Sequence, residues 1–507
     1  MKTGSRGQVM SELNKKVFLC CFVEMWERFS YYGMRALLVL FLTSQLGFTD
    51  PKAYALYSLF AALGYAGPVA GGYLADRFLG FKRMVILGGV IMTIGHLCLA
   101  MIPLGNWLLY LGLGFVCIGT GMFKGNISNL LGCCYEKDSP DRDRGFTWFY
   151  VGVNIGSFLA SISCGYVAHW LGWHYGFGLA GLGMILGLLV FLRYQSLLGD
   201  TGGVPVGRDI KKPVMSGITA TQVIVMSCLL ACLVSAIMLN FSEMFSKLLI
   251  VAGVIALGVY VKFTLNSEAS DRRNLMVLGI LMIFFACFFA MEMQLASLIA
   301  LFTERNVEKE VFGILVPASV SQAINPISIV ILGPVCTMLF KAVGQKRSML
   351  RFFSGLVALV MCFSLLYFAC LNPDGNGKVS YAYYFLSITL MGLGELCIAP
   401  FLMSLSTVLA PEKMKGFVMG FVMFSLAFSN LLGLAIINLL GIDASNAKGT
   451  DAFSSLEVYK EGFFDITIFM AVVALAFLAI YPYVNKVFLK QIGLEEEEKE
   501  MIAAESC

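Results

Sequence analysis

The chain has 507 residues, 58% of them hydrophobic and 13% charged, with a formal net charge of +4. A soluble protein carries about 25% charged residues, so this composition and a mean hydropathy of +0.81 exclude a soluble globular chain and place most of its length in lipid. The small positive excess needs no nucleic-acid partner, because loops that face an anionic leaflet account for it.

Apolar stretches of about 20 residues, each long enough to cross a bilayer, recur along the chain. Their spacing predicts spans over 17–44, 54–75, 83–102, 106–131, 146–169 and 173–194. A polar, Gly- and Lys-rich linker over 195–216 follows, then spans over 218–239 and 245–265. A second set runs over 274–303, 317–342, 350–371, 381–409, 416–441 and 463–485, with a polar loop over 443–461 and an acidic tail from Glu495 to Glu500. The expectation is an all-α membrane protein of about fourteen helices. Residues 1–195 form one six-helix bundle, 196–270 a linker with a two-helix insert, and 271–507 a second six-helix bundle and tail. The insert has no charge at membrane depth, so it should pack outside any pore.

Lys15, Lys16, Lys82, Arg142, Arg272, Arg273, Lys346 and Arg347 gather on one side of these spans, and the other side is sparse in cations. The excess of positive charge marks the cytoplasmic face. It predicts a multi-pass protein of the cytoplasmic (inner) membrane with both termini inside. The start lacks a signal-peptide pattern, since Glu24, Glu27 and Arg28 interrupt any apolar core. The 15 cysteines fall mostly within spans, where a thiol is a small apolar filler, and the vicinal pairs have no metal-ligand spacing.

The first span carries Glu24, Glu27, Arg28 and Arg35. Relative to Glu24 the others, with Tyr31, fall at i+3, i+4, i+7 and i+11, one stripe of a helix. Ionisable groups at membrane depth are costly and usually face a bundle interior or a water-filled path. Lys124 lies well inside the fourth span, where an unpaired ammonium is unfavourable, and Glu27 is its candidate partner. Glu292 and Glu395 are carboxylates within later spans. The only histidines are His96, His169 and His174, and none accompanies the charged stripe. A proton carrier is therefore a carboxylate, with Glu24, Glu27, Glu292 and Glu395 as candidates. A weak internal repeat pairs Gly80-Phe81-Lys82-Arg83 with Gly344-Gln345-Lys346-Arg347, each after the second span of its half. Parallel six-helix halves are the plan of the major facilitator fold.

Three stretches carry a resemblance. Glu24-Met25-Trp26-Glu27-Arg28-Phe29-Ser30-Tyr31-Tyr32-Gly33 resembles the ExxERFxYYG motif of the proton-dependent oligopeptide transporters, a family of the major facilitator superfamily. Gly72-Tyr73-Leu74-Ala75-Asp76-Arg77 through Arg83 looks like the facilitator loop motif, and Phe149-Tyr150-Val151-Gly152-Val153-Asn154-Ile155-Gly156 resembles the family's FYxxINxG stretch. The two-helix insert is common in its prokaryotic members. The resemblance implies a proton-coupled symporter importing di- and tripeptides by alternating access, from a cavity near the midplane between the halves. It assigns Glu24, Glu27, Arg28 and Lys124 to proton coupling, and Glu292, a carboxylate within a later span, is counted with them. Arg28 and Lys124 would hold the peptide carboxylate, which suits the planar fork of arginine, and Glu395 the amine. Asn154 and Asn325 match family positions that bind the peptide backbone and Gln294 a family glutamine; Tyr31, Tyr65 and Tyr150 would wall the pocket, and Arg35, the gate arginine, is counted with the binding residues. Asp76, with Arg77 and Arg83, is a conformational latch. No cofactor or metal is implied, only protons as coupling ion. The partners are peptide and lipid bilayer, the working unit is a monomer, and an enzyme is not expected.

Some positions depart from the pattern. Met293 stands where many members have a glutamate, and Glu292 lies one residue earlier, a turn of ~100° on a helix, away from the direction in which a matched carboxylate would meet Arg35. Val422 replaces a usual tryptophan and Ala300 a common asparagine. Met293 and Val422 suggest a facilitator-type symporter for another small solute, an amino acid or nitrate, as an alternative; a non-transporting peptide sensor, which would bind peptide without moving it, is a separate one.

Overall fold

The computed structural model describes residues 2–136, 139, 141–205, 213–215, 218–343, 348–411, 414–445 and 452–491. The Gly344-Gln345-Lys346-Arg347 copy of the repeat and the acidic tail lie outside them. Sixteen α-helices are described: α1 (Lys2–Ser44), α2 (Asp50–Leu74), α3 (Phe81–Ala100), α4 (Trp107–Gly132), α5 (Asp141–Leu171), α6 (Trp173–Tyr194), α7 (Ala220–Asn240), α8 (Ser242–Leu265), α9 (Ala269–Glu292), α10 (Leu298–Asn306), α11 (Ala318–Ser321), α12 (Ile324–Val343), α13 (Ser348–Cys370), α14 (Tyr381–Leu409), α15 (Lys415–Leu439) and α16 (Ala452–Gln491). Strand content among these residues is two short hairpins, Pro213–Met215 with Ile218–Thr219 and Glu310–Val311 with Ile314–Leu315. Among the described residues thirteen helical stretches are long and apolar enough to span a membrane. The charge-bearing α1 completes the fourteen expected.

Two expected spans are broken. The ninth runs as α9, a 3₁₀ turn over Met293–Ala296, and α10, with Ser297 between them at φ −127° and ψ −93°. Gln294 makes the break: its Nε2 donates to Ala290 O at 2.7 Å and its Oε1 accepts from Ser297 Oγ at 2.6 Å. Side chains that bond to nearby backbone offer an alternative to the helical ladder. The tenth span divides into the single turn α11 and the long α12.

By contact the chain forms two units. The first holds Met1–Phe48, Ala55–Phe245 and Val316–Pro326, and the second Thr49–Tyr54, Ser246–Leu315 and Ile327–Cys507. The expected insert is thus shared out: α7 goes with the first unit and α8 with the second. In the first, glycines let backbones meet. A Cβ on Gly67 of α2 would come within 2.7 Å of Gly121 Cα on α4, and one on Gly95 of α3 within 2.7 Å of Gly112 O; small residues give membrane helices this close packing. Segment 316–326 joins the first unit through Gln322, whose Nε2 donates to Ala36 O at 3.1 Å, and through Ser319 and Val320 against Gly165 of α5. In the second unit, Tyr260 of α8 stacks on Phe417 and meets Phe421 at a tilt, both on α15, and Tyr260 Oη donates to Leu275 O at 2.8 Å.

His96 of α3 is fully buried against Gly181 of α6, and neither ring nitrogen has a hydrogen-bond partner among the described residues. A buried unsatisfied polar group costs about 1–3 kcal/mol. His96→Leu should therefore raise the thermal midpoint of the detergent-solubilised protein. A lower midpoint would show that the imidazole is satisfied in solution.

Candidate functional site

In the first unit, α1 places its charges on one turn. The Arg28 guanidinium lies between two carboxylates: Nε is 3.0 Å from Glu24 Oε1 and also ion-paired with Glu27. All three side chains are buried, at 2% (Glu24), 0% (Glu27) and 1% (Arg28) exposure. Arg28 Nη2, Glu24 Oε2 and Glu27 Oε1 have no hydrogen-bond partner among the described residues. A buried polar group in that condition calls for an explanation such as a ligand, an ion or a transferable proton. α5 comes in against this turn, since a Cβ on its Gly156 would lie 3.2 Å from Arg28 Cβ.

The expected Lys124–Glu27 pair is not formed, and this corrects the reading of the sequence. Both α1 carboxylates are engaged by Arg28, which reaches them at i+4 and i+1 on its own helix. Lys124 Nζ instead lies 4.3 Å from the centroid of the Tyr65 ring, a cation–π placement. Tyr31 stacks on Phe60 of α2 with ring centroids 5.9 Å apart, and the Arg28 guanidinium lies 5.5 Å from the Tyr31 ring. Arg35 Nε donates to Tyr57 Oη at 2.6 Å. Tyr57, Phe60 and Tyr65 thus form an aromatic wall on α2 for the cations of α1 and α4. Tyr57 was missed from the sequence, although it and Phe60, Gly64 and Tyr65 follow helical spacing.

Asn154 of α5 is buried and its Nδ2 donates to Tyr150 O at 3.0 Å, while the Tyr150 side chain is exposed. Asn325 is buried with its Nδ2 unpartnered among the described residues. Asp76 and Arg77 are exposed on a π-helical turn, Ala75–Leu79, and Arg83 is exposed at the start of α3. Lys82 helps tie this loop down, its Nζ donating to Gly199 O at 2.7 Å.

In the second unit, Glu292 is buried at the end of α9, directly before the break. The Gln294 amide is used within that break. Met293, Ala300 and Val422 are all buried. Glu395 is half-buried on α14, five residues before Pro400. Sequence reasoning also missed a bidentate pair at the start of α2: Arg305 of α10 meets Asp50 at 2.6 and 2.8 Å, and its Nη1 also donates to Tyr459 Oη at 2.9 Å. Among the described residues no group of three or more His, Cys, Asp or Glu side chains could hold a metal.

The POT family (PTR2) model matches residues 82–450. Over 476 residues the chain is 31% identical to the dipeptide and tripeptide permease A of Citrobacter koseri, with 93% of each chain covered. Over 430 residues it is 33% identical to the peptide transporter YePEPT of Yersinia enterocolitica, covering 80% of this chain and 84% of that one. The crystal structure of tetrameric PepTSo2 matches with a TM-score of 0.80 at 27% identity, covering 94% of this chain and 99% of that one.

Proposed function

The chain belongs to the POT family, and on that premise we propose that it is a proton-coupled symporter that imports di- and tripeptides by alternating access. The observation that carries this reading is the buried Arg28, held between Glu24 and Glu27 with donors and acceptors to spare. A guanidinium recognises a carboxylate through its planar fork, so Arg28 can exchange a glutamate for the carboxylate of a peptide. Protonation of Glu27 or Glu24 removes a counter-charge from Arg28 and frees it for that exchange. Proton and substrate are thereby linked at one guanidinium. Lys124, held on the Tyr65 ring and by no carboxylate among the described residues, adds a second cation for the same peptide group. Glu395 receives the peptide amine, and Tyr31, Arg35, Tyr65, Tyr150, Asn154, Asn325 and Gln294 complete the recognition set. Glu292 is a further proton-linked carboxylate, and Asp76, Arg77 and Arg83 form the latch of the α2–α3 loop.

The protein is a multi-pass membrane protein whose work is transport, not catalysis, with protons and no cofactor. The distribution of Lys and Arg supports both termini on the cytoplasmic side. The reading takes a monomer as the transporting unit; the relative PepTSo2 is tetrameric in its crystal structure. A second reading, transport of another small solute, is favoured by Met293, Ala300 and Val422, apolar side chains at positions where the family carries polar or larger groups.

Reconstitution in liposomes tests the proposal. Labelled dialanine should accumulate under an inward proton gradient and cease to do so with an uncoupler. Uptake of an amino acid or nitrate in place of dialanine would establish the second reading. Binding of dialanine without uptake would make the protein a sensor.

A further inference from the structure

Pro400 removes one backbone donor from the interior of α14. The oxygen left without its helical partner belongs to the residue four positions earlier, Leu396. That oxygen accepts a hydrogen bond at 3.0 Å from Arg351 Nη2 on α13. The guanidinium lies 3.8 Å from the ring centroid of Phe340 and 5.9 Å from that of Phe401, so aromatic faces fix its plane. Close approach of the two helices makes the reach possible. A Cβ on Gly355 of α13 would come within 2.9 Å of Gly394 O, and one on Gly394 within 3.0 Å of Gly355 O. Gly355 is one turn beyond Arg351, and Gly394 and Leu396 flank Glu395.

We propose that Arg351 is a positioning residue for Glu395: it caps the Leu396 carbonyl that Pro400 leaves open and so holds the turn of α14 from which Glu395 meets the substrate. The inference rests on the reading of Glu395 as the site for the peptide amine. Arg351 itself does not touch the peptide. Without its donor, the open carbonyl lets the helix bend at the proline, where kinks concentrate, and the direction of Glu395 drifts with it. Arginine suits the task because one face can lie on a ring while its edge donates in plane.

A double-mutant cycle tests this in the full-length protein. Arg351→Met keeps an apolar stem between Phe340 and Phe401 but has no donor. Pro400→Ala restores a backbone N–H whose helical acceptor is Leu396 O. Arg351→Met should raise the KM for dialanine about tenfold, the scale of a lost hydrogen bond to a charged group, with a smaller change in kcat. Arg351→Lys, which keeps a donor but not the planar group that lies on Phe340, should recover only part of it. In the Pro400→Ala background the same change should alter KM by less than about twofold, because coupling vanishes when the shared partner is satisfied. The thermal midpoint is expected to follow the same pattern, a drop with proline and none with alanine, and it needs no substrate. Equal losses in both backgrounds, in KM and midpoint alike, would overturn the proposal. Coupling in the midpoint with an unmoved KM would leave Arg351 as a helix brace and overturn its action through Glu395. N-acetyl-dialanine, which lacks the charged amine, separates the two layers. If Arg351→Met raises its KM as much as that of dialanine, the assignment of the amine to Glu395 fails, while the midpoints still report on Arg351 and Pro400.

Discussion

Exchanging Glu27 for glutamine is expected to remove proton-driven accumulation of dialanine while leaving exchange of internal for external peptide at equal pH close to the parent. Glutamine has the shape of the protonated acid and cannot release a proton. Arg28 would keep Glu24 at 3.0 Å as its remaining counter-charge, so the guanidinium stays in place but is held by one carboxylate instead of two. The size of the loss follows from the driving force. A proton crossing about 100 mV releases about 2.3 kcal/mol, which sustains about a fiftyfold concentration ratio of the co-transported solute. Removing one coupled proton should lower the steady-state ratio by about that factor. Liposomes with a potassium-diffusion potential, read once as net uptake and once as counterflow, measure both quantities. Accumulation undiminished in Glu27→Gln would mean that the proton travels on another carboxylate, with Glu24 the next to exchange.

The largest loss of stability is expected from Asp50→Ala. Asp50 is 0% exposed, and its partner Arg305 has a side-chain exposure of 17%. The bidentate contact and the bond to Tyr459 engage three of the five N–H donors of a guanidinium that is largely out of water. Arg305 also lies in the last turn of α10, where the helix dipole favours a cation. Removing only the carboxylate leaves that largely buried cation with Tyr459 as its side-chain partner among the described residues, a change that costs about 3–5 kcal/mol. Thermal unfolding followed by intrinsic fluorescence should show a clear drop in midpoint. The double variant Asp50→Leu with Arg305→Leu should recover most of it, because a well-packed apolar replacement of a buried pair is often neutral. A midpoint for Asp50→Ala equal to the parent would mean that water enters and solvates Arg305.

What could be read from the residues alone divides along physical lines. The crossings were legible because a span is set by the length of an apolar run, a purely local property. The charged stripe on α1 was legible because helical spacing fixes which side chains share a face, and Glu24, Glu27 and Arg28 are one turn apart. The break at Met293–Ala296 was not, since no proline or glycine marks it. It arises from Gln294 bonding to Ala290 and Ser297, and its sequence carries the apolar pattern straight through. The partner of Lys124 was misjudged for a related reason. Charge alone favours Glu27, but Arg28 holds Glu27 from the adjoining position on the same helix, and Lys124 is left with the Tyr65 ring. Asp50 with Arg305, and Arg351 with Leu396, join segments far apart in the chain, so nothing local announces either pair. Pro400 was a hint to the second, since a proline within a helix always implies a carbonyl in search of a donor.

The placement of segment 316–326 bears on how the protein is made. Ribosomal synthesis proceeds at about 5–20 residues per second, so the turn bearing Gln322 leaves the ribosome several seconds after α7. Until then the first unit exists in the bilayer without the side chain that reaches Ala36 and without the cover over Gly165. Biogenesis is therefore not the completion of one half followed by the other. The earlier half must wait, inserted but unfinished, for a piece encoded in the later one, and a chain divided after Phe245 would yield a first fragment lacking part of its own interior.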